Sequence, residues 1–215
     1  MKIKRYEVEN LPLEKIALIS DLHNKTPKKI ITILEKEKPE AILLAGDIFN
    51  GNKDFEKQGN SIEFLKTCVD IAPTYYVKGN HENDCHILNV PVEGIHFIGM
   101  NSEEVKPGVF IGGHGEIREE LDWFKDYQKI DGYKILLTHY PVVYDEFNLV
   151  LCGHSHGGQW RIGKRGVYVP RYGIFPRLAY GRVGNTIITS GCSNTAIVPR
   201  FGNPKEVVIT TPKKQ

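Results

Sequence analysis

Five short apolar runs in this chain each stop at a residue that binds metals or moves protons. Residues 15–20 run into Asp21, 41–45 into Gly46-Asp47 and 74–77 into Gly79-Asn80-His81. Residues 134–137 run into Thr138-His139, and 149–152 into Gly153-His154-Ser155-His156. Runs this short and apolar read as buried strands. In α/β sheets, ligands gather where loops converge at the carboxyl ends of strands. The pattern therefore predicts that residues distant in sequence meet in one crevice.

Helical patterns separate some of these runs. Over 26–38, Ile30, Ile31, Ile33 and Leu34 mark an apolar face, Pro27 suits a first turn, Thr26 is a candidate cap and Pro39 a stop. Residues 61–71 read as a second helix, and 116–130 as a third with Leu121 and Phe124 inward. Short strands are expected at 95–98 and 109–111, and the last third is strand-rich.

The H-S-H pair admits a plain reading, in which His154 and His156 share one face of a continuing strand. Gly153, Gly157 and Gly158 argue against a regular strand there, because glycine serves sharp turns and close approach. Imidazole is the commonest neutral metal ligand, so a glycine-rich turn carrying two of them suits a metal. A lone Asp after a strand reads as a turn or cap residue, and a lone His as an ordinary polar side chain. Five such blocks in order shift both readings to ligands.

In chain order the blocks are D-L-H (21–23), G-D (46–47), G-N-H-E (79–82), T-H (138–139) and G-H-S-H (153–156). This sequence resembles the calcineurin-like metallophosphoesterases, whose pattern is D-x-H, G-D, G-N-H-[DE], H, G-H-x-H. Its G-H-S-H-G-G-Q run is similar to a subgroup with G-H-T-H-G-G-Q. The resemblance implies a four-layer α/β/β/α sandwich of two mixed sheets flanked by helices, formed by residues 1–215 as one domain. It implies two divalent metal ions. Asp21, His23 and His156 would hold one and Asn80, His139 and His154 the other, with Asp47 bridging. His81 would be the general acid. Glu82, where the family often has Asp, would hold loops or orient a ligand.

Phosphate ester hydrolysis needs charge neutralised on phosphoryl oxygens and a nucleophile at neutral pH, and a two-metal centre supplies both. The implied mechanism is in-line attack by a metal-bound hydroxide. Imidazole, carboxylate and amide ligands without thiolate suit Mn²⁺, the favoured ion, with Fe, Zn²⁺ and Ni²⁺ as alternatives, and disfavour Cu(I) or Fe–S clusters. A phosphodiesterase acting on a small phosphoester, a nucleotide or lipid headgroup, is the favoured reading. Phosphomonoesterase, nuclease and non-catalytic scaffold are its rivals.

Composition narrows these. The net charge of +2 gives no sign of a basic nucleic-acid groove. No apolar run approaches a membrane span, and the N-terminus has no secretory apolar region. Cys68, Cys85, Cys152 and Cys192 are scattered without a C-x-x-C, which fits free thiols and a cytoplasmic setting. His86 and His96 read as structural or exposed. His114, in G-G-H-G-E, reads as a loop histidine, with a substrate-rim role as the alternative. Arg161, Arg171 and Tyr172 read as surface residues, with binding of a distal phosphate or base as the alternative. Tyr75, Tyr76, Trp123 and Phe124 read as core.

Overall fold

The computed structural model describes residues 1–51, 55–82, 89–115, 122–163, 165–169, 173–194 and 199–214. The first half of the chain runs β1 (Lys2–Val8), β2 (Ile16–Ile19), α1 (Lys28–Glu37), β3 (Ala41–Ala45), α2 (Gly59–Ile71), β4 (Thr74–Val77), β5 (Ile95–Phe97) and β6 (Asn101–Lys106). It continues with β7 (Val109–His114), α3 (Asp122–Lys129), β8 (Tyr133–Thr138) and β9 (Leu149–Cys152). The remainder is all strand: β10 (Trp160–Ile162), β11 (Arg165–Val169), β12 (Gly173–Ile174), β13 (Gly181–Val183), β14 (Thr186–Ile188) and β15 (Glu206–Pro212).

Two six-stranded sheets form the body, in orders β1-β15-β2-β3-β4-β5 and β13-β14-β9-β8-β7-β6. Strands β2 to β5 are mutually parallel, as are β7, β8, β9 and β14. Alternate side chains of a strand face opposite ways, so a strand buried throughout needs apolar cover on both sides. Leu18, Leu43 and Val77 of the first sheet meet Ile135, Leu137 and Leu151 of the second in one layer. Their neighbours Ile19, Leu44 and Tyr76 face Ile30 and Leu34 of α1 and Phe64 and Leu65 of α2. Behind the second sheet, Phe124 and Tyr127 of α3 pack on Leu136 and Val150. The expected α/β/β/α sandwich is therefore observed. Tyr75, Tyr76 and Phe124 are core residues, as read from sequence.

Several local expectations need correction. Pro27 occupies the N-cap of α1, at φ −88°, and no side chain caps the helix, so Thr26 is not a cap. The stop is Lys38, left-handed at φ 48°, whose amide donates to Leu34 O. Helix α2 begins at Gly59, two residues early. Edge strands β1 and β6 and a third sheet, β10-β11-β12, were not anticipated. Leu121 and the rest of 116–121 lie outside the described residues, as do Cys85, His86, Arg171 and Tyr172. Cys68, Cys152 and Cys192 are buried free thiols. Among the described residues no helix is long and apolar enough to cross a membrane.

Glu37 ties the end of α1 to the first sheet. Its carboxylate accepts from Arg5 Nη1 at 3.0 Å and Lys15 Nζ at 3.2 Å. Hydrogen bonding from Arg5 leads, and against burial it holds the carboxyl at about 2. This folded value lies below the unfolded one, so the tie stabilises at neutral pH and is lost as pH falls from about 4 toward 2. Glu37→Gln should lower the urea midpoint at pH 7, and the gap to wild type should narrow at pH 3.

Candidate metal centre

Because the strands are parallel, their carboxyl ends share one edge of the sandwich. Beyond β2 lie Asp21 and His23, beyond β3 Asp47, and beyond β4 Asn80 and His81. The second sheet brings His139 from β8 and His154 and His156 from β9. Asp21, His23, Asp47, His154 and His156 all take left-handed backbone, with φ of 56°, 49°, 54°, 65° and 49°. Two loops interlock beneath them. A Cβ on Gly46 would lie 2.6 Å from Gly79 N and 2.7 Å from His139 Nδ1, so only glycine lets these segments meet. Gly157 and Gly158, at φ 69° and 64°, turn the chain away directly after His156.

Among the described residues, three groups of side chains present ligand atoms within 4.8 Å of one another: Asp21, His23 and His156; Asp47, His139 and His154; and, between them, His23, Asp47 and His81. Each aspartate has one oxygen tied by the protein and one aimed inward. Asp21 Oδ2 accepts from the Ser20 hydroxyl and, at 3.3 Å, from His154 N. Asp21 Oδ1 is buried without a hydrogen bond, 3.4 Å from His156 Nε2 and 4.0 Å from His23 Nε2. Asp47 Oδ1 accepts from His81 N at 2.8 Å. Asp47 Oδ2 lies 3.5 Å from His139 Nε2 and 3.7 Å from His23 Nε2, on the boundary between the groups.

His139 Nδ1 lies 2.8 Å from Ala45 O and must donate to it, which leaves the Nε2 lone pair facing the site. Asn80 Oδ1 and His154 Nδ1 each lie 3.0 Å from that Nε2. Two ligands ~2.1 Å from one ion at a right angle would be ~3.0 Å apart. The His81 ring stands edge-on to His23, with centroids 4.6 Å apart.

Burial pushes His23 down to about 3, so its imidazole is neutral at pH 7. Burial also lowers His156. For Asp47, burial leads in raising the carboxyl, reinforced by the charges of Glu82 and Asp21. Burial opposes ionisation of Asp21, yet His156, His139 and His23 hold it low. The neutral His23 imidazole presents lone pairs, and a cation would supply the positive charge that the buried Asp47 carboxyl needs to ionise. The orphaned Asp21 Oδ1 and both unpartnered His23 nitrogens are atoms whose burial is costly without a ligand. The residues present fit divalent metal ions.

The surrounding residues explain how the ligands are held. Glu82 is buried and accepts from Asp47 N at 2.8 Å, Phe49 N at 2.9 Å, Gly79 N at 2.6 Å and the Tyr76 hydroxyl. It thus holds the loops after β3 and β4 together, the loop-holding role read for it from sequence. Two contributors escaped the sequence reading. Asn203 Nδ2 donates to His156 O at 2.7 Å and Gly158 O at 2.9 Å. Arg200 brings Nη2 within 3.0 Å of His156 Nδ1 and donates to Ser193 O. Both lie more than 40 residues beyond His156, and no local pattern marks them.

Two expectations are overturned. His114 is the last residue of β7, 3% exposed, and packs beside Trp123 and Phe124, so it is neither a loop residue nor at a rim. The glycines before it serve packing: a Cβ on Gly113 would meet Val77 and Ile98. Arg161 is buried, with its guanidinium 3.6 Å from the Tyr180 ring centroid, so it is not a surface residue. His96 is exposed and paired with Glu103, as expected.

Residues 14–158 match the calcineurin-like phosphoesterase family, and the chain belongs to it. The chain is 28% identical over 219 residues to the uncharacterized protein YpbG of Bacillus subtilis, across 91% of this chain and 80% of that one. It is 27% identical to the phosphodiesterase YaeI of Escherichia coli, across 69% of this chain and 62% of that protein. A dimetal phosphatase structure from Danio rerio superimposes with a TM-score of 0.51 at 11% identity, covering 84% of this chain and 88% of that one. The last likeness shows a shared fold.

Glu82→Gln would turn an amide donor toward backbone donors. It should cost ~1–3 kcal/mol in urea unfolding and weaken metal retention ~10–100-fold on dialysis. Gly79→Ala should keep the circular dichroism spectrum but lose bound metal, because a Cβ there would overlap the Asp47 carboxylate.

Proposed function

We propose that this chain is a phosphoric ester hydrolase using two divalent metal ions, and that a small phosphodiester is its substrate. The observation carrying this reading is the position of Asp47 Oδ2, which faces His139 of one ligand group and His23 of the other. In this reading Asp21, His23 and His156 hold one ion, Asn80, His139 and His154 the second, and Asp47 both. Asp47 would stand between the two ions, with Oδ1 engaged by the His81 amide and Oδ2 facing both ligand groups. Mn²⁺ suits the ligand set, with Fe, Zn²⁺ and Ni²⁺ as alternatives.

Bound divalent ions supply charge neutralisation on the phosphoryl oxygens and acidify water enough for attack at neutral pH. The chain's own residues do the rest. The Asp47 carboxylate holds the His81 backbone amide and His23 stands edge-on to its ring, and in this reading that ring donates a proton to the leaving alkoxide. Glu82 and Asn203 keep the strand-end loops from relaxing, so the ligands are set before substrate arrives. The name of the Escherichia coli relative supports the diester. A nucleotide or lipid headgroup fits better than nucleic acid, given the small net charge. Residues 1–215 act as one domain, since both sheets contribute ligands, and the free buried thiols support a cytoplasmic setting.

The test is hydrolysis of a paired aryl monoester and diester by metal-stripped protein reloaded with Mn²⁺, with metal counted by mass spectrometry. His81→Ala should lower diester kcat by ~10²–10⁴-fold with metal content unchanged. Asp47→Ala should lose both metal and turnover. A His81→Ala variant with wild-type turnover would overturn the assignment of the proton donor. Monoester turnover alone would overturn the diester reading.

A further inference from the structure

The third sheet carries its side chains inside out. In β10, Arg161 points into the molecule while Trp160 and Ile162 point outward. The register of β10 on β11 shifts after Trp160, pairing Trp160 with Tyr168, Arg161 with Gly166 and Ile162 with Arg165. Val167 is the extra residue of this bulge, and it brings Arg165 and Tyr168 onto the same face. Tyr168 pairs in turn with Ile174, and Trp160 bridges to Phe201. Phe201, Trp160, Tyr168 and Ile174 therefore form one row across four segments, 74%, 49%, 39% and 72% exposed. Ile162, 74% exposed on the same face of β10, extends it, and Phe175, 62% exposed, follows Ile174 directly in the chain. Isolated apolar side chains on a surface are ordinary, whereas a contiguous row marks an interaction site.

Charge says what the row meets. No Asp or Glu occurs between Glu146 and Glu206, whereas Lys164, Arg165, Arg171 and Arg177 cluster in the segment that builds this sheet. Arg165 and Arg177 are exposed, and with Phe175 and Pro176 they border a recess of about 290 Å³. Large apolar side chains flanked by cations, Trp and Tyr among them, suit the boundary between acyl chains and anionic headgroups. Single-stranded nucleic acid would want stacking surfaces, and Ile162 and Ile174, the most exposed of the large apolar side chains of β10–β12, offer none.

We propose that this face docks on an anionic lipid surface, with the row at the acyl boundary and Arg165 and Arg177 on headgroup phosphates. The row adjoins the metal centre. Trp160 follows the H-S-H-G-G-Q run by one residue, and Phe201 follows Arg200, whose guanidinium touches His156. Docking thus brings the ligand-bearing edge to the membrane.

The experiment is flotation of the full chain with vesicles of phosphatidylcholine alone or with a quarter phosphatidylglycerol. Wild type should float with the anionic vesicles at least ~10-fold more than with neutral ones. The double variant Ile174→Ser/Phe175→Ser should lose at least ~10-fold of that binding, with melting temperature and aryl diester turnover unchanged. Arg165→Glu/Arg177→Glu should abolish the preference for anionic vesicles. Absence of wild-type flotation, or equal flotation by the Ile174/Phe175 variant, would overturn the proposal. A wild-type dimer in light scattering that this variant dissolves would overturn it too, because a second copy would then cover the row.

Discussion

Asp21, His23, Asp47, His154 and His156 share a backbone state that L-residues avoid, and the rest of the centre depends on holding them in it. Left-handed backbone costs roughly 1–2 kcal/mol per residue. It also breaks the strand alternation, so that side chains arriving on separate strands turn toward one edge. That cost is offset nearby. Glu82 gathers three backbone amides and a tyrosine hydroxyl, Asn203 clamps two carbonyls, and Gly46 and Gly79 allow two loops to touch. None of these groups is among the proposed ligands. They fix where the ligands point, as strained backbone at functional sites requires.

Both aspartates follow one arrangement. One oxygen is held by an N–H or O–H of the protein, and the other is left without a good partner among imidazole nitrogens. Holding one oxygen sets the carboxylate's rotation, so the free oxygen is aimed rather than mobile. Asp21 Oδ1 faces its own group, and Asp47 Oδ2 faces two. One strand position thus separates a carboxylate oxygen that faces one group of imidazoles from one that faces two.

That the candidate ligands meet was legible in the sequence, because each follows an apolar run and parallel strands carry their ends to a common edge. The four-layer architecture was implied by the family resemblance that the strand-end blocks carry. What escaped has identifiable causes. Strand β1 buries only Val8 fully, and β6 is an exposed edge strand, so neither shows an apolar run. In Trp160-Arg161-Ile162 the usual pattern is inverted, with the cation inside and the apolar groups outside, so sequence predicts the opposite burial for each. His114 looked mobile because glycine often means freedom. Here Gly112 and Gly113 lie flush against Tyr127 and Ile98, where no larger residue fits.

The first sheet is closed by its last strand. β15 lies between β1 and β2, pairing Glu206 with Lys2 and Ile209 with Ala17. At ~5–20 residues per second of synthesis, β1 waits about 10–40 s for its neighbour. During that interval β2, which leads to Asp21 and His23, presents an open edge to solvent or to another nascent chain. Val207, Val208 and Ile209 are also missing from both layers they fill. The centre can therefore be completed only late in the life of the nascent chain, and any pause before residue 206 leaves a half-built sheet whose free edge invites mispairing.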